Sequence, residues 1–95
     1  MQTVAAEQKV KGGKLVRVRI IHDGSIVFQV IITGDFFVHP EEGLDSIERS
    51  LVGLKVPTSS EEVEKVVNGI VSSESIKLIG FSTTDLAKLV AGVLI

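Results

Sequence analysis

Lys14-Leu15-Val16-Arg17-Val18-Arg19-Ile20-Ile21-His22-Asp23-Gly24-Ser25-Ile26-Val27-Phe28-Gln29-Val30-Ile31-Ile32-Thr33 decides the fold. From Lys14 the side chains alternate, with Val16, Val18 and Ile20 on one face and Leu15, Arg17, Arg19 and Ile21 on the other, which is the two-residue period of a strand buried on one side. A second run from Ser25 to Thr33 sets Ile26, Phe28, Val30 and Ile32 against Val27, Gln29, Ile31 and Thr33. Asp23-Gly24 between them reads as a hairpin turn.

A two-residue turn would bring Arg17 and Arg19 onto the face of Phe28 and Val30, a register that buries charge. A three-residue loop, His22-Asp23-Gly24 with Gly24 left-handed at a bulge, avoids this and pairs Ile20 with Ile26, Val18 with Phe28 and Val16 with Val30. Val27 and Ile31 then share the second face with the arginines, as expected of a partner-binding surface.

Upstream, residues 1–13 show no apolar period and end in Lys11-Gly12-Gly13, so they read as an N-terminal arm, with a single domain over 14–95. Downstream, Thr33-Gly34-Asp35 breaks the strand and Phe36-Phe37 begins a segment ending at Pro40. Pro40, Glu41, Glu42 and Asp45 then open a helix that Gly53 stops, with Leu44, Ile47 and Leu51 as its apolar stripe. Ser59 and Glu62 have capping-box spacing before Val63, Val66, Val67 and Ile70. Ile76–Ile79 is a short extended run, Gly80 a breaker, and Ser82 with Asp85 opens a last helix carrying Leu86, Leu89, Val90, Val93 and Leu94. The expected architecture is α+β: a small mixed sheet built on a hairpin, with three helices packed on one side.

Ninety-five residues suffice for one core. No apolar stretch approaches the roughly 18 residues that cross a bilayer, and no secretory signal is legible, so the expected setting is cytoplasmic without membrane attachment. Cysteine is absent, which excludes disulfides, thiolate metal ligands and a cysteine nucleophile. The single Asn and single Met lean towards a heat-adapted source. Up to His22 five basic residues, Lys9, Lys11, Lys14, Arg17 and Arg19, face Glu7 alone, a net +4; the remainder carries −6, for −2 in all. A basic stripe so short and free of interleaved aromatics gives no reason to expect nucleic-acid binding.

No nucleophile stands near a base, and no metal-ligand spacing occurs. His22 and His39 read as turn or surface residues, and Glu41-Glu42 as a response to the helix dipole. Asp35, between a glycine and two phenylalanines, reads as a turn cap ahead of a ligand contact. Lys11-Gly12-Gly13-Lys14 sets bare backbone between two ammonium groups, which suits an anion but is not a P-loop; a flexible entry to the first strand is the plainer reading.

Taken together, Lys11-Gly12-Gly13-Lys14-Leu15-Val16-Arg17-Val18, Ile32-Thr33-Gly34-Asp35-Phe36-Phe37 with Pro40-Glu41, Leu51 with Gly53, and Ile79-Gly80 with Ser82, Asp85 and Leu86 resemble the carboxy-terminal accessory domain of lipoate-protein ligase A. The resemblance runs over about residues 9–95. It implies a fold similar to the sulfur-acceptor and iron–sulfur scaffold proteins, whose cysteine chemistry this chain lacks. The catalytic domain's Arg-Arg, Gly-rich and His-Asp signatures are missing, as in archaeal-like systems where the accessory part is a separate chain. The implied function is that of a non-catalytic subunit, paired in a heterodimer with a catalytic subunit that uses ATP, Mg and lipoate to make lipoyl-AMP and then modifies lipoyl-domain proteins. No cofactor is implied on the chain alone. By the same resemblance Gly12, Gly13 and Lys14 become candidates for reaching adenylate or pyrophosphate oxygens, and Arg17, Arg19, Asp35, Phe36, Phe37 and His39 for the partner interface, with one phenylalanine in the core and the other nearer the contact. A stand-alone protein-interaction module and a small-molecule-binding regulatory domain are the alternatives.

Overall fold

The alternation from Leu15 builds a strand as its period requires: Val16, Val18 and Ile20 are buried, Arg17 and Arg19 exposed. The computed structural model describes residues 1–10 and 12–95. Its elements are β1 (Gln2–Lys9), β2 (Leu15–His22), β3 (Val27–Gly34), β4 (Phe37–His39), α1 (Glu42–Ser50), α2 (Ser60–Ser73), β5 (Lys77–Ile79) and α3 (Thr83–Val93). The expected α+β class holds, but the strands divide into two antiparallel sheets, β1-β2-β3 and β4-β5, where one mixed sheet was expected.

All three helices lie on one side. Val16, Val18, Ile20, Val30 and Ile32 of the sheet join Ile47 and Leu51, Val63 and Val67, and Leu86, Val90 and Leu94 in one buried cluster. The opposite face of the sheet, with Ala5, Glu7, Arg17, Arg19, Ile31 and Thr33, stays exposed. Helix α3 carries the full capping box of Ser82 and Asp85. On α2 the Ser59 hydroxyl accepts the Glu62 N–H, while the Glu62 carboxylate takes the Thr58 hydroxyl instead of completing a box.

Several further expectations are corrected. The segment read as an arm supplies β1, paired with β2 from Gln2 opposite His22 to Lys9 opposite Leu15. As an edge strand it turns only Val4 and Ala6 onto the core, both half-buried, and two small apolar residues leave little periodic signal. The β2–β3 register also differs: Ile20 faces Val30, Val18 faces Ile32 and Val16 faces Gly34. His22, read as a surface or turn residue, is buried and extends the core face to meet Val27. Between the Ile21–Gln29 and His22–Val27 pairs Phe28 is the extra residue of a bulge. The loop is therefore Asp23–Ile26. The Asp23 carboxylate accepts the N–H groups of Ile26 (2.9 Å) and Ser25 (2.8 Å), which holds it below its ordinary range, and His22 Nδ1 accepts the Gly24 N–H at 3.0 Å. Ile26 and Phe28, expected in the core, are 38% and 42% exposed, because Ile26 bridges to Lys55 and Val27 exchanges bonds with Gly53 and Leu54.

These bonds cover the outer edge of β3, and Glu48 closes it further by accepting the Ile32 N–H at 2.7 Å. Partial burial raises the Glu48 carboxyl above its ordinary 4.5, outweighing the Ile32 bond, and Asp45 adds to the rise. A carboxyl raised in the folded state binds more protons there than in the unfolded chain. Its contribution to stability is therefore largest below 4.5 and declines as pH climbs through the raised value. Glu48→Gln keeps an acceptor for Ile32 and removes the titration, so the melting temperature of the variant relative to the parent is expected to rise from acid to neutral pH, read by thermal denaturation across that range.

Candidate functional site

Three glycine-bearing loops meet where β2 begins. The β1–β2 connection closes with the Val10 N–H on the Lys14 carbonyl (2.6 Å) and the Gly13 N–H on the Val10 carbonyl (2.9 Å). At the end of β3 the Asp35 carboxylate accepts the Leu15 N–H at 2.5 Å while the Asp35 N–H goes to the Leu15 carbonyl at 3.2 Å. Gly34 permits this approach, since a Cβ there would collide with the Leu15 carbonyl. From the other side comes Gly80, left-handed at φ +100°; a Cβ on it would sit 2.8 Å from Cγ of Lys14 and 3.4 Å from Cβ of Phe36. The stem of Lys14 thus lies across bare backbone.

Phe36 and Phe37, adjacent in sequence, part company. Phe36 tilts against the buried Phe81, ring centroids 4.5 Å apart, and packs on the core. Phe37 is 65% exposed on β4, directly opposite Ile79 on β5, itself 46% exposed. His39, also exposed, faces Lys77 at the far end of the same ribbon. Of the expected division between core and contact, Phe36 takes the core and Phe37 the surface.

Lys14, Asp35 and Phe36 are brought together at Gly80, with Phe37 next in the chain; Gly12 and Gly13, in the connection before Lys14, face open space, and Lys11 lies outside the described residues. The Gly13 N–H is committed to Val10, so it is no donor for a phosphate, and an anion here would be met by the Lys14 charge. Asp35 was expected to cap the turn that follows it; its carboxylate instead accepts the N–H of Leu15 at the start of β2. Gly80, Phe81 and Ile79 complete the cluster; Gly80 was legible as a breaker, but no local signal places it under Lys14.

Arg17 and Arg19 belong to the open face of the sheet. There they line a depression of about 480 Å³ with Ala5, Glu7, Ile31 and Thr33. Arg17 Nε stands 3.7 Å from Glu7 Oε1 with both side chains mostly exposed, a pairing of little energetic weight. Among the described residues no three His, Asp or Glu side chains are placed to hold a metal ion, and no helix is long and apolar enough to cross a membrane. Among the described residues the loop cluster sets the Lys14 stem over Gly80 and Phe36, with the exposed Phe37–Ile79 pair on the adjoining ribbon.

No protein-family model and no curated protein sequence matches the chain. A solved structure does: a chain from an archaeal lipoylation system, a bipartite lipoate protein ligase and its E2 lipoyl domain from Thermoplasma acidophilum, aligns over 93% of both chains with a TM-score of 0.74 at 24% identity. At that identity the two share a fold.

If Asp35 ties the loops together, Asp35→Ala should cost about 0.5–1.5 kcal/mol of stability, and Asp35→Asn, which keeps an acceptor for Leu15, distinctly less. Chemical denaturation of the two variants and the parent measures the difference.

Proposed function

We propose that this chain is the non-catalytic accessory subunit of a two-part lipoate-protein ligase, needed by a separate catalytic chain for ATP-dependent activation of lipoate to lipoyl-AMP ahead of transfer to a lipoyl-domain lysine. The observation that carries the reading is convergence. Lys14 of the first segment of the ligase resemblance, Asp35 and Phe36 of the second and Ile79-Gly80 of the last, scattered along the sequence, meet around Gly80 in a fold shared with a chain from an archaeal lipoylation system.

On this reading ATP, Mg and lipoate are held by the catalytic subunit, and the complex works in the cytoplasm. Lys14, its stem seated on Gly80 and Phe36, presents an ammonium to the phosphate oxygens of ATP or the adenylate across the interface, where charge opposite a phosphoryl group counts most. Phe37 and Ile79 supply the apolar contact, with His39 at its rim. Arg17 and Arg19, on the open face of the sheet, favour a second reading, an interaction module for an unrelated partner. The two diverge in whether adenylation needs this chain.

The deciding measurement is lipoyl-adenylate formation by the candidate catalytic subunit with and without the chain. Activity is expected only on mixing; full activity without it overturns the proposal. In the mixed system Lys14→Ala is expected to slow adenylation about tenfold or more, the weight of one charge-assisted contact, while leaving assembly nearly unchanged. Phe37→Ala should instead weaken assembly by about tenfold with the fold intact, whereas Phe36→Ala loosens the fold itself.

A further inference from the structure

The two edges of the three-stranded sheet are treated differently. That of β3 is covered by Glu48 and by the Gly53–Leu54 connection. Among the described residues that of β1 has no strand beyond it, and over its eight residues it carries no proline and no bulge; the charges that can blunt an edge, Glu7 and Lys9, lie towards one end and leave Gln2–Ala6 uncharged. Its core-facing side chains, Val4 and Ala6, remain half-buried.

We propose that the chain forms a two-fold homodimer in which β1 adds antiparallel to β1 of a second copy, giving a continuous six-stranded sheet. The residues of β1 identify the occupant. A two-fold axis perpendicular to the sheet keeps the same face of both copies on the same side, so a residue meets one that is an even number of positions away, or itself. Centred on Ala5, this places Ala5 against its own copy, Val4 against Ala6, Thr3 against Glu7 and Gln2 against Gln8. Shifted to centre on Ala6, it sets Ala5 against Glu7 and Thr3 against Lys9. In both arrangements small side chains lie at the axis and no like charges are opposed; only a further shift brings Glu7 onto Glu7. Val4 and Ala6 gain a neighbouring strand on their open side. The edge is self-complementary, and the inference does not depend on the ligase reading.

Ala5→Glu is the discriminating change. Ala5 is exposed and lies across from Arg19, so within one copy the new carboxylate gains a favourable cross-strand neighbour. In the dimer it is opposed by its own copy or by Glu7. Sedimentation velocity of the full chain over a range of concentrations is expected to show a dimer for the parent and for the uncharged control Ala5→Gln. For Ala5→Glu the dissociation constant should rise by roughly tenfold, with an unchanged melt of the dilute protein. As a readout independent of substitution, hydrogen exchange of the β1 amides that point away from β2 should slow as parent concentration rises. A parent that sediments as a monomer throughout, with those amides unprotected, overturns the proposal, and so does an Ala5→Glu chain that dimerises as the parent does.

Discussion

Leu15 is held through both of its backbone polar groups: its N–H goes to the Asp35 carboxylate and its carbonyl receives the Asp35 N–H. The rest of the molecule follows from that clasp. It ends the β2–β3 ladder at Gly34, so that the chain cannot continue along the first sheet and must leave as β4. Leaving there, it points Phe36 inward to Phe81 and sets up the ribbon that β5 completes after two intervening helices. Because the clasp also fixes the first residue of β2, Lys14 is positioned by the same two bonds, and the loop carrying Gly80 has a defined surface to lie against.

The charge division along the sequence becomes a division in space only in part. Arg17 and Arg19 share the open face of the sheet, but Glu7 on β1 stands among them, so the face is mixed. Lys14 belongs to the loop cluster, where the neighbouring carboxylate of Asp35 is occupied by a backbone bond. Among the described residues the loop cluster thus carries the Lys14 cation, whereas the arginines lie on the broad open face of the sheet.

Much of this was legible in the sequence because it rests on local rules. The valine face of β2, the capping box of α3, the stripe of Ile47 and Leu51 and the short β5 follow from periodicity and caps that a few residues set. What failed depends on partners distant in sequence. Ile26 and Phe28 have the spacing of core residues, but the buried His22 and the bonds from Gly53 and Leu54 claim Val27 for the core and push Phe28 into a bulge. β1 is an edge strand with two small core-facing residues, too few to imprint a period. At the candidate site the sequence separated the roles of two adjacent phenylalanines without saying which was which; strand alternation decided it once β4 met β5. Gly80 beneath Lys14, 66 positions apart by their numbers, had no local trace at all.

The carboxylate of Glu48, set against the Ile32 N–H, has a meaning beyond the stability of one strand. A sheet with two bare margins is a monomer unit for a fibre, since each addition exposes a fresh margin to the next. Here one margin is covered by a side chain and a loop of the same molecule, which leaves β1 as the margin open to a further strand. If a second copy pairs there, both outer margins of the joined sheet are covered β3 edges, and that geometry favours a finite particle over a polymer.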